Sequence, residues 1–286
     1  TTESMLPRSI DSARAYLRLS ENLMLVASLL DALFEAFPLD TAEPWDHVGL
    51  SVGDPSSSIT GVTCSLDATL DNVRSAHNDG SNVLLTHHPV YIKAPDAFKP
   101  ADPFSPSSSA VVFEAARLGV SIISMHTNLD RSKAARRLLP DLMGFTASSS
   151  LEFSQQPDLP GLGAVTDIAE TDLAELACHA AQVFRTQPRV WGEPSHPISR
   201  VAFLGGSLGD FGELALKAGA KAIICGEAGY HVCQDLSIRG LDVILLGHDR
   251  SEEPFVEILA KAAQQAGVAP TSIATITHSA QWWTAR

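Results

Sequence analysis

Val83-Leu84-Leu85-Thr86-His87-His88-Pro89 runs an uninterrupted apolar segment into two adjacent imidazoles and a proline. A short aliphatic run closed by a proline reads as a strand of a largely parallel sheet whose faces are covered by helices. Both histidines then stand at the carboxyl end of that strand, the edge where open α/β sheets build their sites. Neighbouring residues of extended chain point in opposite directions, so His87 and His88 are expected to serve two separate metal ions rather than to chelate one. Without a metal they would be two surface loop histidines.

Two further stretches repeat the arrangement. Ser121-Ile122-Ile123-Ser124-Met125-His126-Thr127-Asn128-Leu129-Asp130 is a strand leaving into a polar loop that ends in a carboxylate. Asp130 offers two oxygens and can bridge two cations; its other reading is the N-cap of a helix over 131–139. His126 ligates, orients Asp130 from behind, or caps the strand, and the orienting role is preferred because ligands need such partners. Asp242-Val243-Ile244-Leu245-Leu246-Gly247-His248-Asp249-Arg250-Ser251-Glu252 is the third exit. Gly247 lets the backbone turn and Pro254 suits a first helical turn, so His248 and Glu252, one turn later, can meet at one spot. Otherwise Ser251 caps the helix and Glu252 and Glu253 complement its dipole. Three such exits in one chain favour a metal centre made from His87, His88, Asp130, His248 and Glu252. Three imidazoles and two carboxylates suit zinc, manganese, iron or cobalt better than calcium, and the expectation is two divalent ions per protomer.

Outward from these exits the chain alternates. An amphipathic helix over 23–37 precedes strands at 61–64, 83–85 and 120–124 and helices near 70–76 and 110–118, with an exposed Pro, Ser and Asp loop at 99–109. A composition break at 147–160 carries a serine triplet and two prolines. Beyond it come a helix over 172–184, strands at 200–204, 221–225 and 242–246, and helices over 211–218 and 252–266. The β-α rhythm occurs twice. The expected fold is α/β, two related halves with mixed, mostly parallel sheets and the metal site between them. Residues 1–150 carry the H-H and H-x3-D ligands and residues 151–286 the H-x3-E ligands.

Composition narrows the function. No apolar run among the 286 residues approaches the ~20 needed to cross a bilayer. Lys and Arg total 20 against 33 Asp and Glu, and the resulting charge of -13 repels nucleic acid. Four cysteines without a C-x-x-C pair support neither a thiolate zinc site nor a disulfide framework. The first twenty residues mix both charges and do not read as a signal peptide, so a cytoplasmic setting is expected.

Two weaker features remain. Val201-Ala202-Phe203-Leu204-Gly205-Gly206-Ser207-Leu208-Gly209-Asp210 places a glycine-rich turn before a helix, where backbone N–H groups hold an anion or simply make a tight turn; lacking a P-loop lysine, the turn is the preferred reading. Gly226-Glu227-Ala228-Gly229-Tyr230-His231 offers His231 as a proton donor or acceptor, or as a structural residue.

In order, Pro44-Trp45-Asp46-His47-Val48-Gly49-Leu50, Ser65-Leu66-Asp67, T-H-H-P, H-T-N-L-D, G-G-S, G-E-x-x-Y-H and G-H-x-x-S-E make a set. Over nearly its whole length the chain resembles the Nif-three-like dinuclear-metal proteins, known also as GTP cyclohydrolase 1 type 2 homologues. The resemblance implies a two-part α/β protomer with metals between its halves, assembled as a ring-shaped homo-hexamer. It matches His87 and His88 to the paired ligands, Asp130 and Glu252 to the shared carboxylates and His248 to the late histidine. It departs at His47, where the family has Asn, and at Leu208, which interrupts G-G-S-G; the middle segment is short, as in the compact members. The function expected is a dinuclear-metal-dependent hydrolase of a small molecule, opening the GTP imidazole ring or cleaving a phosphoester, with His231 or His126 moving a proton. The alternative is a regulatory or metal-sensing hexameric assembly without turnover.

Overall fold

The computed structural model describes residues 24–277 and 282–285; the start of the helix expected over 23–37 and the reading of the first twenty residues lie outside them. Val26, Leu29 and Leu33 fall at helical spacing and bury one face of α1 (Val26–Ala36). Then come β1 (Gly49–Val52), β2 (Val62–Ser65), α2 (Leu70–Asn78), β3 (Val83–Thr86), α3 (Ser107–Leu118) and β4 (Ser121–Ser124). Thr69 starts α2 by accepting the Asn72 N–H, and Gly119 ends α3 in the left-handed conformation. Strands β2, β3 and β4 lie parallel, with Val62 opposite Val83 and Val83 opposite Ser121, while β1 runs antiparallel along β4.

After β4 the chain makes one short turn of helix, α4 (Thr127–Asp130), and then α5 (Lys133–Leu142). The second sheet follows: β5 (Ala164–Asp172), α6 (Leu173–Val183), β6 (Arg189–Trp191), β7 (Pro197–Phe203), α7 (Phe211–Lys217), β8 (Ala222–Cys225), α8 (Tyr230–Ile238) and β9 (Asp242–Leu245). Its order is β5-β7-β8-β9-β6, parallel through β7, β8 and β9 and antiparallel at both edges. A short helix again leaves the last parallel strand, α9 (His248–Glu252), before α10 (Phe255–Gln265) and β10 (Ile273–Thr275). The protein is therefore α/β with two mixed, mostly parallel sheets, as the repeated rhythm implied.

The two halves exchange their last helices. Helix α5 leaves the first sheet but buries Leu139 and Met143 with Val201, Phe203 and Ile224 of the second. Helix α10 leaves the second sheet but packs Phe255, Ile258 and Leu259 with Val62, Val83, Leu85 and the buried face of α1. Strand β10 then pairs with the edge of β2 in parallel, covering backbone groups that would otherwise be open. Residues 255–275, expected with the second half, thus belong by packing to the first sheet. The opposite face of the first sheet, through Leu84 and Ile122, rests on α2 and α3. No helix among the described residues is long and apolar enough to cross a membrane.

Candidate metal centre

The exchange brings the three strand exits to one place. Asp130 is the last residue of α4 and Glu252 the last of α9, each just ahead of the helix that crosses to the other sheet. His87 and His88 leave β3 between them, and Phe255, the first residue of α10, sets its ring 5.1 Å from that of His87.

Glu252 is 4% exposed and central. Its Oε2 lies 2.8 Å from His88 Nε2 and 3.0 Å from His248 Nε2. Its Oε1 lies 3.8 Å from His87 Nε2, which in turn is 3.6 Å from Asp130 Oδ1. The last two separations exceed a hydrogen bond. His87 Nε2 and Asp130 Oδ1 are both buried and, among the described residues, have no hydrogen-bond partner. Buried polar atoms are rarely left so, because the desolvation cost goes uncompensated; a cation between them would satisfy both. Two groups of donors lie within 4.8 Å of one another: His87, His88 and His126, and His88, His248 and Glu252. His88 belongs to both. The adjacent histidines, expected to diverge, instead hold their rings 5.0 Å apart and both face the first group. Past Thr86 the chain is no longer in a strand, so alternation does not apply to them.

Behind each ring stands an acceptor. His88 Nδ1 is 2.7 Å from Asp67 Oδ1, His126 Nδ1 2.9 Å from Asp46 Oδ1, His248 Nδ1 2.9 Å from Glu227 Oε1, and His87 Nδ1 3.1 Å from the Met125 carbonyl. An acceptor at Nδ1 fixes the proton there and leaves Nε2 for a ligand, the arrangement that orients metal-binding histidines. Asp46 is fastened in turn by the Thr127 N–H at 3.0 Å and hydroxyl at 2.5 Å. His126 was expected to orient Asp130; the carboxylate it is bonded to is Asp46.

Neither capping alternative is what these residues do. Ser132, not Asp130, caps α5 by accepting the Ala135 N–H. Ser251 accepts the Gly206 N–H at 2.9 Å and donates to the His248 carbonyl at 2.8 Å, tying the glycine turn to α9. Gly206 has a φ of +64°, and a Cβ there would collide with the Glu252 carboxylate. The turn is a backing for Glu252, and Leu208, which interrupts its glycines, is fully buried in the second core.

The sequence profile of the Duf34/NIF3 (NGG1p interacting factor 3) family matches residues 24–280.

The chain belongs to the Duf34/NIF3 family.

Among its relatives, the GTP cyclohydrolase 1 type 2 homolog of Clostridium acetobutylicum is 29% identical over 245 residues, 84% of this chain and 90% of that protein. The protein of the same name from Lactococcus lactis is 30% identical over 233 residues, 79% and 87% of the two chains. The fold is shared with the crystal structure of a Bacillus cereus protein related to NIF3 (TM-score 0.83, 16% identity, 92% of this chain and 100% of that one). A Staphylococcus aureus hypothetical protein superposes with a TM-score of 0.82 at 24% identity, covering 93% and 100%.

In this NIF3-family site the charges are arranged around Glu252. Burial works against its ionised form, but the imidazoles of His248, His87 and His88 hold it well below the usual carboxylate range. Burial would lower His88, yet its bonds to Asp67 and Glu252 push it up to about 10. His248 is raised to about 9, first by Glu252. Burial lowers His87. Asp130, desolvated and facing the Glu252 charge, is raised to about 7. Asp46 falls well below its ordinary value because its bonds to His126 and Thr127 outweigh burial. The ionised Glu252 and the raised imidazoles of His88 and His248 thus attract one another across the cluster. His231 stands apart: it is exposed in the first turn of α8 and lines a separate depression with Gly209, Asp210 and Glu213.

Proposed function

We propose that this NIF3-family protein is a dinuclear-metal-dependent hydrolase of a nucleotide or another phosphorylated small molecule. One observation carries the reading: two donor groups share His88, and beside them the buried His87 Nε2 and Asp130 Oδ1, 3.6 Å apart, have no hydrogen-bond partner among the described residues; Asp130 itself lies in neither group. His87, His88, Asp130, His248 and Glu252 would hold the ions, and His126, which stands among the first group, would not ligate. Zinc, manganese, iron and cobalt all fit imidazole and carboxylate donors. Divalent cations bound there supply Lewis-acid activation of water and of a substrate oxygen. The chain's own part is to aim the rings through Asp67, Asp46 and Glu227, and to exclude water behind Phe255 and His87. His126, backed by Asp46, is suited to carry a proton at Nε2. The names of the Clostridium and Lactococcus relatives favour opening of the GTP imidazole ring, and phosphoester cleavage would use the same groups. A ring-shaped hexamer and a cytoplasmic setting belong to the proposal; the buried free thiols of Cys64, Cys225 and Cys233 accord with the latter.

The test is metal content per protomer by elemental analysis for the wild type, His88→Ala and Glu252→Ala, each sized on a column. Assays for formate released from GTP and phosphate from an ester panel follow on the loaded protein. Two equivalents that fall in the variants at constant oligomeric state, together with a released product, are expected. Absence of metal after reconstitution refutes the reading; full loading without any product turns it toward the regulatory assembly.

A further inference from the structure

A cavity of about 860 Å³ opens where His88 and His248 reach the surface, a volume within the range of small-molecule sites. Besides those histidines, it is walled by Arg189 at the start of β6, Glu227 after β8 and Trp282 from the chain's end. Strand β10 runs parallel to β2, so the chain leaves it at the same sheet edge as His87 and His88. The indole lies over Gly247, where a Cβ would sit 3.5 Å from Cζ2, and its Nε1 donates to Asp249 Oδ1 at 3.3 Å. Its polar atom is thereby engaged while the side chain stays 48% exposed. An aromatic surface left open on a cavity wall is a platform for stacking.

The charges of the cavity are just as uneven. Its carboxylates are occupied: Asp67 with His88, Glu227 with His248 and Asp249 with Trp282. Arg189 also lines it and has no ion pair among the described residues. In a chain of net charge -13, an unpaired guanidinium beside the donor cluster is an anchor for an anion.

We infer that the cavity takes an anionic molecule bearing a flat ring, with the ring on Trp282 and the anionic group at Arg189. Both become substrate-positioning residues. The inference rests on the hydrolase reading of the neighbouring cluster.

Binding to metal-loaded protein is measured by calorimetry with three probes: guanosine monophosphate, guanosine and ribose 5-phosphate. Guanosine monophosphate is expected to bind most tightly. Trp282→Ala should weaken it and guanosine about tenfold, leaving ribose 5-phosphate unchanged, while Trp282→Phe keeps the affinity within about threefold. Arg189→Gln should weaken both phosphates about tenfold and spare guanosine. Unchanged guanosine monophosphate affinity in Trp282→Ala overturns the inference, as does failure of every probe to bind at about 1 mM. Metal is counted in the same samples. Two equivalents with no preference for the ring sink this inference alone, whereas no metal sinks the reading beneath it.

Discussion

If the proposed ions bind at pH 7, their loading should expel protons from the raised groups of the cluster. A metal ion needs neutral imidazole and ionised carboxylate. In the metal-free protein His88 is raised to about 10 and His248 to about 9, so each carries a proton at pH 7. Asp130, raised to about 7, holds part of a proton there. Filling the two proposed positions is therefore expected to release two protons or more, and the overall affinity for the pair of ions to rise by about two powers of ten or more per pH unit near neutrality. The sign is fixed by competition: protons hold the ligands at low pH, so affinity climbs with pH and levels off above the raised histidine values. Glu252 links the three groups, since it raises both histidines and repels Asp130. Glu252→Gln keeps the shape and removes the charge, and should cut the release by about one proton or more. Calorimetry in two buffers of different ionisation enthalpy counts the protons, with metal stoichiometry taken from the same titration. Release of less than one proton by wild-type protein that binds two ions would refute the account of how the metal-free cluster is held.

Two further outcomes follow from other parts of the site. Gly206→Ala must place a side chain at a φ of +64° against Glu252, whereas Gly209→Ala, at +49°, meets open space. The first should cost about 2–3 kcal/mol in urea unfolding and lower metal content, the second only about 1 kcal/mol of backbone strain; equal losses would refute the backing role. Asp46 is held below its ordinary value in the fold, so its contribution is full above the unfolded pKa of about 3.9 and disappears as pH falls through the folded value. Asp46→Asn should therefore lower stability by about 1–3 kcal/mol at pH 7. A gap in melting temperature that does not narrow between pH 5 and pH 2 would contradict this.

The sequence made the three strand exits legible because each joins an unbroken apolar run to polar residues, a pattern that survives any packing. Helices with a strong apolar face, such as α1 and α10, were legible for the same reason. Strand β5 hid because it is half-exposed and rich in Asp, Thr and Glu, and β6 and β10 are three residues each. Helix α8 buries only Cys233 and Leu236, too little to leave a stripe. The exchange of α5 and α10 was illegible in principle, since an amphipathic face states that it must be buried and not against which sheet. Asp46, Asp67 and Glu227 were in plain view within motifs, but their task is a contact across 80, 21 and 21 residues of chain. Carboxylates beside strand exits, counted against the histidines needing support, would have been the signal. The divergence expected of His87 and His88 failed because the strand geometry on which it relied ends at Thr86.

The exchanged helices also imply an expected order of folding as the chain is made. Once residue 245 has emerged, the second sheet has every strand, and α5, made earlier, is already there to cover it. The first sheet is begun sooner but waits for residues 255–275 to bring its covering helix and its edge strand. The usual sequence of N-terminal part first is therefore expected to invert. Glu252 arrives just before that final segment, so a cation reaching the nascent chain early would find His87, His88 and Asp130 without the carboxylate that joins them.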